Sequence, residues 1–435
     1  MIETIDYEPD GNSEKLSAIL GRTTDFTPEL ENSVRNIILG VRNRGDEAVL
    51  AYTEQFDNVK LDKEELLVPE RDITRAYENS DPALIEGLSS AAKNIERFHQ
   101  AQMQNSWFVE DGDGVVLGKR ILPIESAAVL IPGASAPLFS TLLMAAIPAG
   151  IAGVSRICMA TPPQRDGSVH QAVLAAAHMM GITEIYRVFG AQAVAALAYG
   201  TEAITPVDKL VGPGHPSVQI AKKMVYGTVD IDMVAGPSEI VILADRSADP
   251  VFVAADLLSQ AEHGSGFEAS VCITTSSDLA AQVNSELERQ LADLSHSDSI
   301  ALALENFGAI VVVNDLEEGI ALANRIAPEH LELIVENPWS KLDRIRNAGA
   351  VFLGAASSEP VGDYFAGTNH ILPTARSARF ASSVGVDTYL KNMSVVAYTD
   401  ERLQKCGGRI IALAEAEGLD AHANAIRVRL TNSNQ

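Results

Sequence analysis

Between residues 127 and 353, short apolar runs alternate with alanine-rich helical segments, and this alternation constrains the fold more than any other feature of the chain. The strand-like runs begin with Ala127–Ile131, Ile157–Ala160, Ile185–Phe189 and Lys209–Val211. Beyond Gly236-Pro237-Ser238 they resume as Ile240–Leu243, Ser270–Thr274, Ala309–Val313, Leu331–Val335 and Val351–Leu353. A strand followed by a helix-length crossover and another strand predicts parallel pairing. More runs are present than one compact sheet needs, so two α/β domains with parallel-type sheets are expected.

The alternation also settles an ambiguity of composition. From Ser126 to Ser155 no residue is charged, but Pro132, Gly133, Pro137 and Pro148 interrupt the stretch. A membrane-spanning helix needs roughly twenty continuous apolar residues, so the stretch reads as buried strand, loop and helix. A net charge of −25 disfavours binding to nucleic acid or to anionic membranes, and Lys222-Lys223 is too small a basic patch to offset it. Cys158, Cys272 and Cys406 form neither a metal spacing nor a disulfide framework. With an acidic start lacking a signal-peptide pattern, these features predict a soluble, cytoplasmic protein.

The flanks read differently. Pro28–Gly45 carries Leu30, Val34, Ile37, Ile38 and Val41 at helical spacing, and Leu84–Phe98 repeats the pattern after Asp81-Pro82. Asp111-Gly-Asp-Gly114 suits the turn of a hairpin between Trp107–Val109 and Val115–Leu117. The last sixty residues read as helical, with Arg409–Glu417 stopped at Gly418 and a second helix starting at Asp420.

Four constellations are chemically suggestive. Asp315 as N-cap, Glu318, and apolar Leu316, Ile320, Ala323 and Ile326 predict a helix that Pro328 ends at Ala327. Glu329 and His330 then stand at the start of a strand, as a proton-transfer pair or a loop salt bridge. Asp249-Pro250 starts a helix whose C-terminal end presents Gln260 and His263 three residues apart. They suit a cation, although His263 equally complements the helix dipole. Asp363 and His370 bracket a glycine-bounded loop, either as metal ligands or as an Asx turn and a surface histidine. Glu417 and His422 straddle the Gly418 break, placed to reach a site elsewhere or simply to be exposed. Phe189-Gly190-Ala-Gln192 and Gly212-Pro213-Gly214-His215 follow strands and precede helices, where parallel folds bind ligands; no Gly-x-Gly-x-x-Gly fingerprint is present.

Taken in order, these segments resemble histidinol dehydrogenase over nearly the whole chain. The matching motifs are Ile-Pro-Gly-Ala-Ser-Ala-Pro-Leu-Phe-Ser-Thr from 131, Gly-Ala-Gln-Ala-Val-Ala-Ala-Leu-Ala-Tyr-Gly from 190 and Ile-Asp-Met-Val-Ala-Gly-Pro-Ser-Glu from 231. Ser-Gln-Ala-Glu-His, Ala-Pro-Glu-His-Leu, Gly-Asp-Tyr-Phe-Ala-Gly-Thr-Asn-His-Ile-Leu-Pro-Thr and Glu-Gly-Leu-Asp-Ala-His follow.

The resemblance implies oxidation of L-histidinol to L-histidine through L-histidinaldehyde, using zinc and two NAD. By motif position, Gln260, His263, Asp363 and His422 look like zinc ligands, and Glu329 and His330 like the acid–base pair. Ser238, His370 and Glu417 look like substrate contacts, beside Gln260, His263, His330, Asp363 and His422. Leu130, Gln192 and His215 occupy cofactor-contact positions.

The implied organisation is an N-terminal arm (1–24), one Rossmann-like domain (25–126 with 237–378), a second (127–236) and a C-terminal helical arm (379–435). The arm would complete the partner's site in a homodimer. The chain departs from the family pattern at Leu130 (usually tyrosine), Ala134 and Arg376 (usually glycine), His215 (usually asparagine) and Gly264 (often aspartate). A relative acting on a sulfonated propanediol is disfavoured by Glu417, whose acid suits a cationic substrate and repels a sulfonate.

Overall fold

The computed structural model describes residues 2–9, 11, 13–133 and 137–432. The chain divides into two units, Met1–Gln102 with Ile124–Tyr389, and Met103–Pro123 with Leu390–Gln435. Its first strands are β1 (Glu3–Asp6), β2 (Trp107–Glu110), β3 (Val115–Pro123), β4 (Ser126–Leu130), β5 (Arg156–Thr161), β6 (Ile185–Arg187), β7 (Lys209–Val211) and β8 (Asp230–Ile231). They are followed by β9 (Glu239–Ala244), β10 (Ala269–Thr274), β11 (Gly308–Val312), β12 (His330–Ile334), β13 (Ala350–Leu353) and β14 (Leu390–Tyr398).

The larger unit holds two all-parallel sheets, as the alternation requires. One has the order β1-β11-β10-β9-β12-β13 and the other β6-β5-β4-β7-β8. In the five-stranded sheet the chain moves outward from β4 through β5 to β6, then returns to lay β7 on the other side of β4. That reversal is a topological switch point, where the loops after β4 and β7 diverge and leave a crevice.

Strands β9, β10 and β12 are buried along their whole length because helices cover both faces of the six-stranded sheet. This explains why they read as continuous apolar runs rather than alternating ones. Strand β1 was not expected: Glu3–Asp6 is too short and polar to signal a strand, yet it extends the sheet beside β11.

The helix Pro28–Arg44 forms as its spacing predicts, capped by Thr27 and ended at Gly45, whose φ is 56°. Its buried stripe of Val34, Ile37, Ile38 and Val41 packs with Ala128, Leu130 and Leu210, on the five-stranded sheet. The sequence reading grouped this segment with residues 237–378; an amphipathic stripe encodes that a face is covered and not which sheet covers it. Each of these four side chains contributes roughly 1.5–3 kcal/mol relative to exposure.

In the smaller unit β3 pairs antiparallel with β2, closing the expected hairpin, and with β14. The helices Asp400–Ala416 and Asp420–Asn432 pack as a hairpin about Gly418, at φ 73°. Asp113 anchors the first of them by accepting from Arg402 and from Lys405 Nζ, the latter at 2.6 Å. Among the described residues no helix is long and apolar enough to cross a membrane.

Candidate active site

The site is built where the amino-terminal edge of the six-stranded sheet meets the carboxyl-terminal edge of the five-stranded one. Helix Leu316–Ile326 ends at Ala327, a C-cap in the left-handed region at φ 53°, and β12 begins immediately after Glu329. Parallel pairing sets His330 opposite Ile240 of β9, so Ser238-Glu239 and Glu329-His330 emerge side by side. The Glu239 N–H donates to Glu329 Oε2 at 3.0 Å.

Helix Pro250–Ala261 leaves the far end of β9 and runs back to the same edge, delivering Gln260 in its last turn and His263 just beyond. His330 Nδ1 lies 2.8 Å from Gln260 Oε1. A carbonyl oxygen only accepts, so Nδ1 carries the hydrogen and Nε2 keeps its lone pair when the ring is neutral. That Nε2 is buried without a hydrogen-bond partner among the described residues and lies 3.7 Å from Asp363 Oδ1. His263 Nδ1 in turn donates to the Gln260 carbonyl at 3.1 Å, which leaves its own Nε2 free to bind a cation.

Asp363 belongs to a π-helical turn, Gly362–Ala366, a departure from α-geometry that recurs at functional sites. Gly367 ends it at φ 104°, where a Cβ would stand 2.4 Å from the Asn94 carbonyl oxygen. The loop then returns His370, whose Nδ1 donates to the Asp363 carbonyl at 3.0 Å and whose Nε2 meets Thr141 Oγ1 at 3.3 Å.

Glu359, one helical turn before Asp363, was absent from the sequence candidates. Ser259 Oγ donates to its Oε2 at 2.9 Å, and its backbone N–H donates to Glu332 at 2.7 Å. Ligand atoms of His263, Glu359 and Asp363 all lie within 4.8 Å of one another. The four-residue spacing to Asp363 was the available signal, because such pairs share a helix face.

Burial raises the pKa of the Glu329 carboxyl, opposed by the charges of His330 and His263. At His330 burial favours the neutral ring, but Glu329, Asp363 and Glu359 outweigh it and push the imidazole up to about 10. Burial would likewise raise Asp363, yet His330 and His370 hold it down to about 2. Burial and Asp363 push Glu359 up to about 7. The cluster is thus rich in negative charge with few protein cations, an environment that favours a bound cation.

The opposite wall is formed by Gly212 and Pro213 after β7, with Lys222, Asp232 and Met233. Gly212 has φ 124°, and a Cβ there would meet the Leu130 carbonyl oxygen at 2.4 Å. Lys222 Nζ donates to the Gly212 carbonyl at 2.8 Å and pairs with Asp232, which accepts the Gly212 N–H at 2.8 Å.

Of the sequence-predicted residues, Ser238, His263, Glu329, His330, Asp363 and His370 line one cleft, with Gln260 behind His330. Leu130, Gln192 and His215 are not among the residues lining it. Leu130 ends β4 and is buried, Gln192 is buried in the first turn of helix Ala191–Tyr199, and His215 is the exposed N-cap of helix Pro216–Val225. All three nevertheless stand at the carboxyl edge of the five-stranded sheet, two of them at its switch point. Ala134 lies outside the described residues. Glu417 and His422 are exposed at the helical corner of the smaller unit.

Comparison with known proteins agrees with the resemblance read from the motifs. The family model for histidinol dehydrogenase matches residues 20–430. The chain is 50% identical over 404 residues to the histidinol dehydrogenase of Geobacillus kaustophilus, covering 93% of this chain and 95% of that one. It is 46% identical over 430 residues to the Synechococcus histidinol dehydrogenase, covering 99% of each. The crystal structure of histidinol dehydrogenase from Elizabethkingia anophelis superposes with a TM-score of 0.92 at 39% identity, covering 100% of this chain and 99% of that one. Such agreement, over nearly the full length and in both sequence and fold, means that the chain belongs to the histidinol dehydrogenase family of oxidoreductases.

Proposed function

We propose that the chain oxidises L-histidinol to L-histidine through L-histidinaldehyde, a four-electron reaction that uses zinc and two NAD. The observation that carries this reading is the unpartnered Nε2 of His330, buried in a cleft and held in one tautomer by Gln260. The carboxylates around it favour the protonated ring, so His330 would serve as the base once a cation held by His263, Glu359 and Asp363 offsets their charge and frees Nε2 for a hydroxyl proton. In the first oxidation His330 takes the proton of the substrate alcohol. In the second, water adds to the aldehyde, and Glu329, 3.8 Å from His330 and raised toward neutrality by burial, takes a proton from that water.

The donor set suits zinc. His263, Glu359 and Asp363 offer one imidazole and two carboxylates close together, ligand types that zinc accepts. Gln260 is adjacent, and we assign His422 from a second subunit's C-terminal arm as a further ligand. A zinc ion held by these residues would supply a positive charge to orient the substrate and offset the surrounding carboxylates. Ser238 and His370 flank the same space, and Glu417 from the arm would meet the cationic substrate.

For NAD, which accepts a hydride in each oxidation, support is positional. The crevice between the ends of β4 and β7, bordered by Leu130, Gly212 and His215, lies where open parallel sheets bind nucleotides. Gly190, at φ 91° before the helix that carries Gln192, turns the backbone tightly at that edge, and no side chain caps the helix.

The test is stoichiometric. Zinc-loaded protein with NAD should form two NADH per L-histidinol consumed. Turnover of a sulfonated propanediol without turnover of L-histidinol would overturn the assignment.

A further inference from the structure

Behind Glu329, on the side away from the cleft, lies a buried charge array that the reaction as described does not use. Glu239 is 2% exposed, and its carboxyl meets Arg22 Nε at 3.3 Å. Arg22, itself 9% exposed, follows the helix Glu14–Leu20. Its remaining nitrogens donate to the carbonyls of Phe267 at 2.6 Å and Pro237 at 3.0 Å. One guanidinium from the N-terminal segment therefore grips Pro237 and Glu239 on either side of Ser238.

A second tie reaches the same carboxylate. Burial pushes the Glu239 carboxyl up to about 7, opposed by the Arg22 charge and by the backbone groups of Ala375 and Arg376. Both residues are left-handed, at φ 48° and 66°, and successive residues turned this way can aim their amides together at an anion. The Arg376 side chain donates to the Leu20 carbonyl at 2.8 Å, joining that turn to the segment that carries Arg22.

We propose that Arg22 and Glu239 are positioning residues for Glu329. Clamped by Arg22 and by the 375–376 turn, Glu239 presents its backbone N–H to Glu329 Oε2 and so fixes where that carboxylate points. The N-terminal segment, remote in sequence, thereby sets the geometry of aldehyde oxidation. This rests on the reading of Glu329 as the group that acts on water.

Arg22→Met, Arg22→Lys, the isosteric Glu239→Gln and Glu329→Gln are compared as full-length, zinc-loaded proteins. L-histidinaldehyde oxidation is measured under steady-state conditions, and the first hydride transfer as the NADH burst from L-histidinol. Arg22→Met and Glu239→Gln should lower kcat for the aldehyde by about 10- to 100-fold, the scale of a misplaced reacting group. KM and zinc content should stay near wild type, the alcohol burst should fall by a smaller factor, and Arg22→Lys should recover part of the loss.

Glu239→Gln keeps the side-chain shape, so it decides the matter if Arg22→Met does not fold. Equal losses in both oxidations, lost zinc, or unchanged aldehyde turnover in Glu239→Gln would overturn the proposal while Glu329→Gln remained slow. If Glu329→Gln itself oxidises the aldehyde normally, the role given to Glu329 is wrong and the proposal falls with it.

Discussion

Replacing His330 by asparagine tests the centre of the mechanism. The imidazole is buried, its Nδ1 is committed to Gln260 at 2.8 Å, and its Nε2 has no partner. Asparagine retains polarity but has no titratable nitrogen, so the alcohol proton loses its acceptor. Loss of a general base costs about 10²- to 10⁴-fold in rate, or about 2.7–5.4 kcal/mol at 1.36 kcal/mol per decade. Leaving Gln260 Oε1 with a poorer donor adds a stability cost of about 1–3 kcal/mol, which thermal unfolding would register separately. Nε2 stands 3.7 Å from Asp363 Oδ1, and His330 is outside the trio of clustered donors. Zinc measured by atomic absorption should therefore remain near one per chain while kcat falls. If zinc were lost in step with activity, His330 would be a ligand and not the base. A drop in kcat of less than about tenfold would remove it from proton transfer altogether.

Glu359→Gln should weaken zinc binding by about 10- to 100-fold in competition with a chromophoric chelator, because one of the three clustered donors loses its charge. Unchanged affinity would make Glu359 a bystander of the cluster. Mixing His422→Ala with His330→Asn chains should restore about a quarter of wild-type activity. Random pairing makes half of the dimers mixed, and each mixed dimer holds one intact site; no recovery would mean that the site is not shared. Asp57, at the end of helix Asp46–Asp57, is pushed up to about 6 by burial, and its Oδ2 has no partner. The folded state therefore holds this proton more tightly than the unfolded chain, so this group's contribution to stability is fully present below about pH 4 and is lost as pH rises to about 6. Asp57→Asn should stabilise the protein by about 1 kcal/mol at pH 8 and by nothing measurable at pH 4; equal shifts at both values would sink this account.

The parallel strands were legible because burial on both faces makes them continuous apolar runs, as in Ile240–Leu243 and Ser270–Thr274. Strand β14 was not, because Lys391, Asn392 and Ser394 give no apolar alternation and the residues extend only by pairing with β3. The site separates along the same line. Glu329-His330 and Gln260/His263 announce themselves by local spacing, and motif order fixes their company. The bond between Gln260 and His330 spans 70 residues, and the grip of Arg22 on Pro237 spans 215. Such contacts exist only after two strands and a returning helix share an edge, so no window of sequence contains them. Glu359 was missed for a humbler reason: a glutamate before a proline looks like any helix start.

The cleft draws its two walls from separately packed sheets, and this divides the mutational landscape. Gln260, Glu329 and His330 are rooted in the core around β9 and β12, whereas the crevice at β4 and β7 rests on the core shared with helix Pro28–Arg44. Substitutions in distant, independently packed regions tend to add. Selection can therefore retune the crevice at β4 and β7, where Leu130 and His215 already differ from the family habit, while the side that carries Glu329 and His330 stays fixed. Under the proposed assignment, a library confined to the second wall should shift NAD affinity and leave zinc content near wild type.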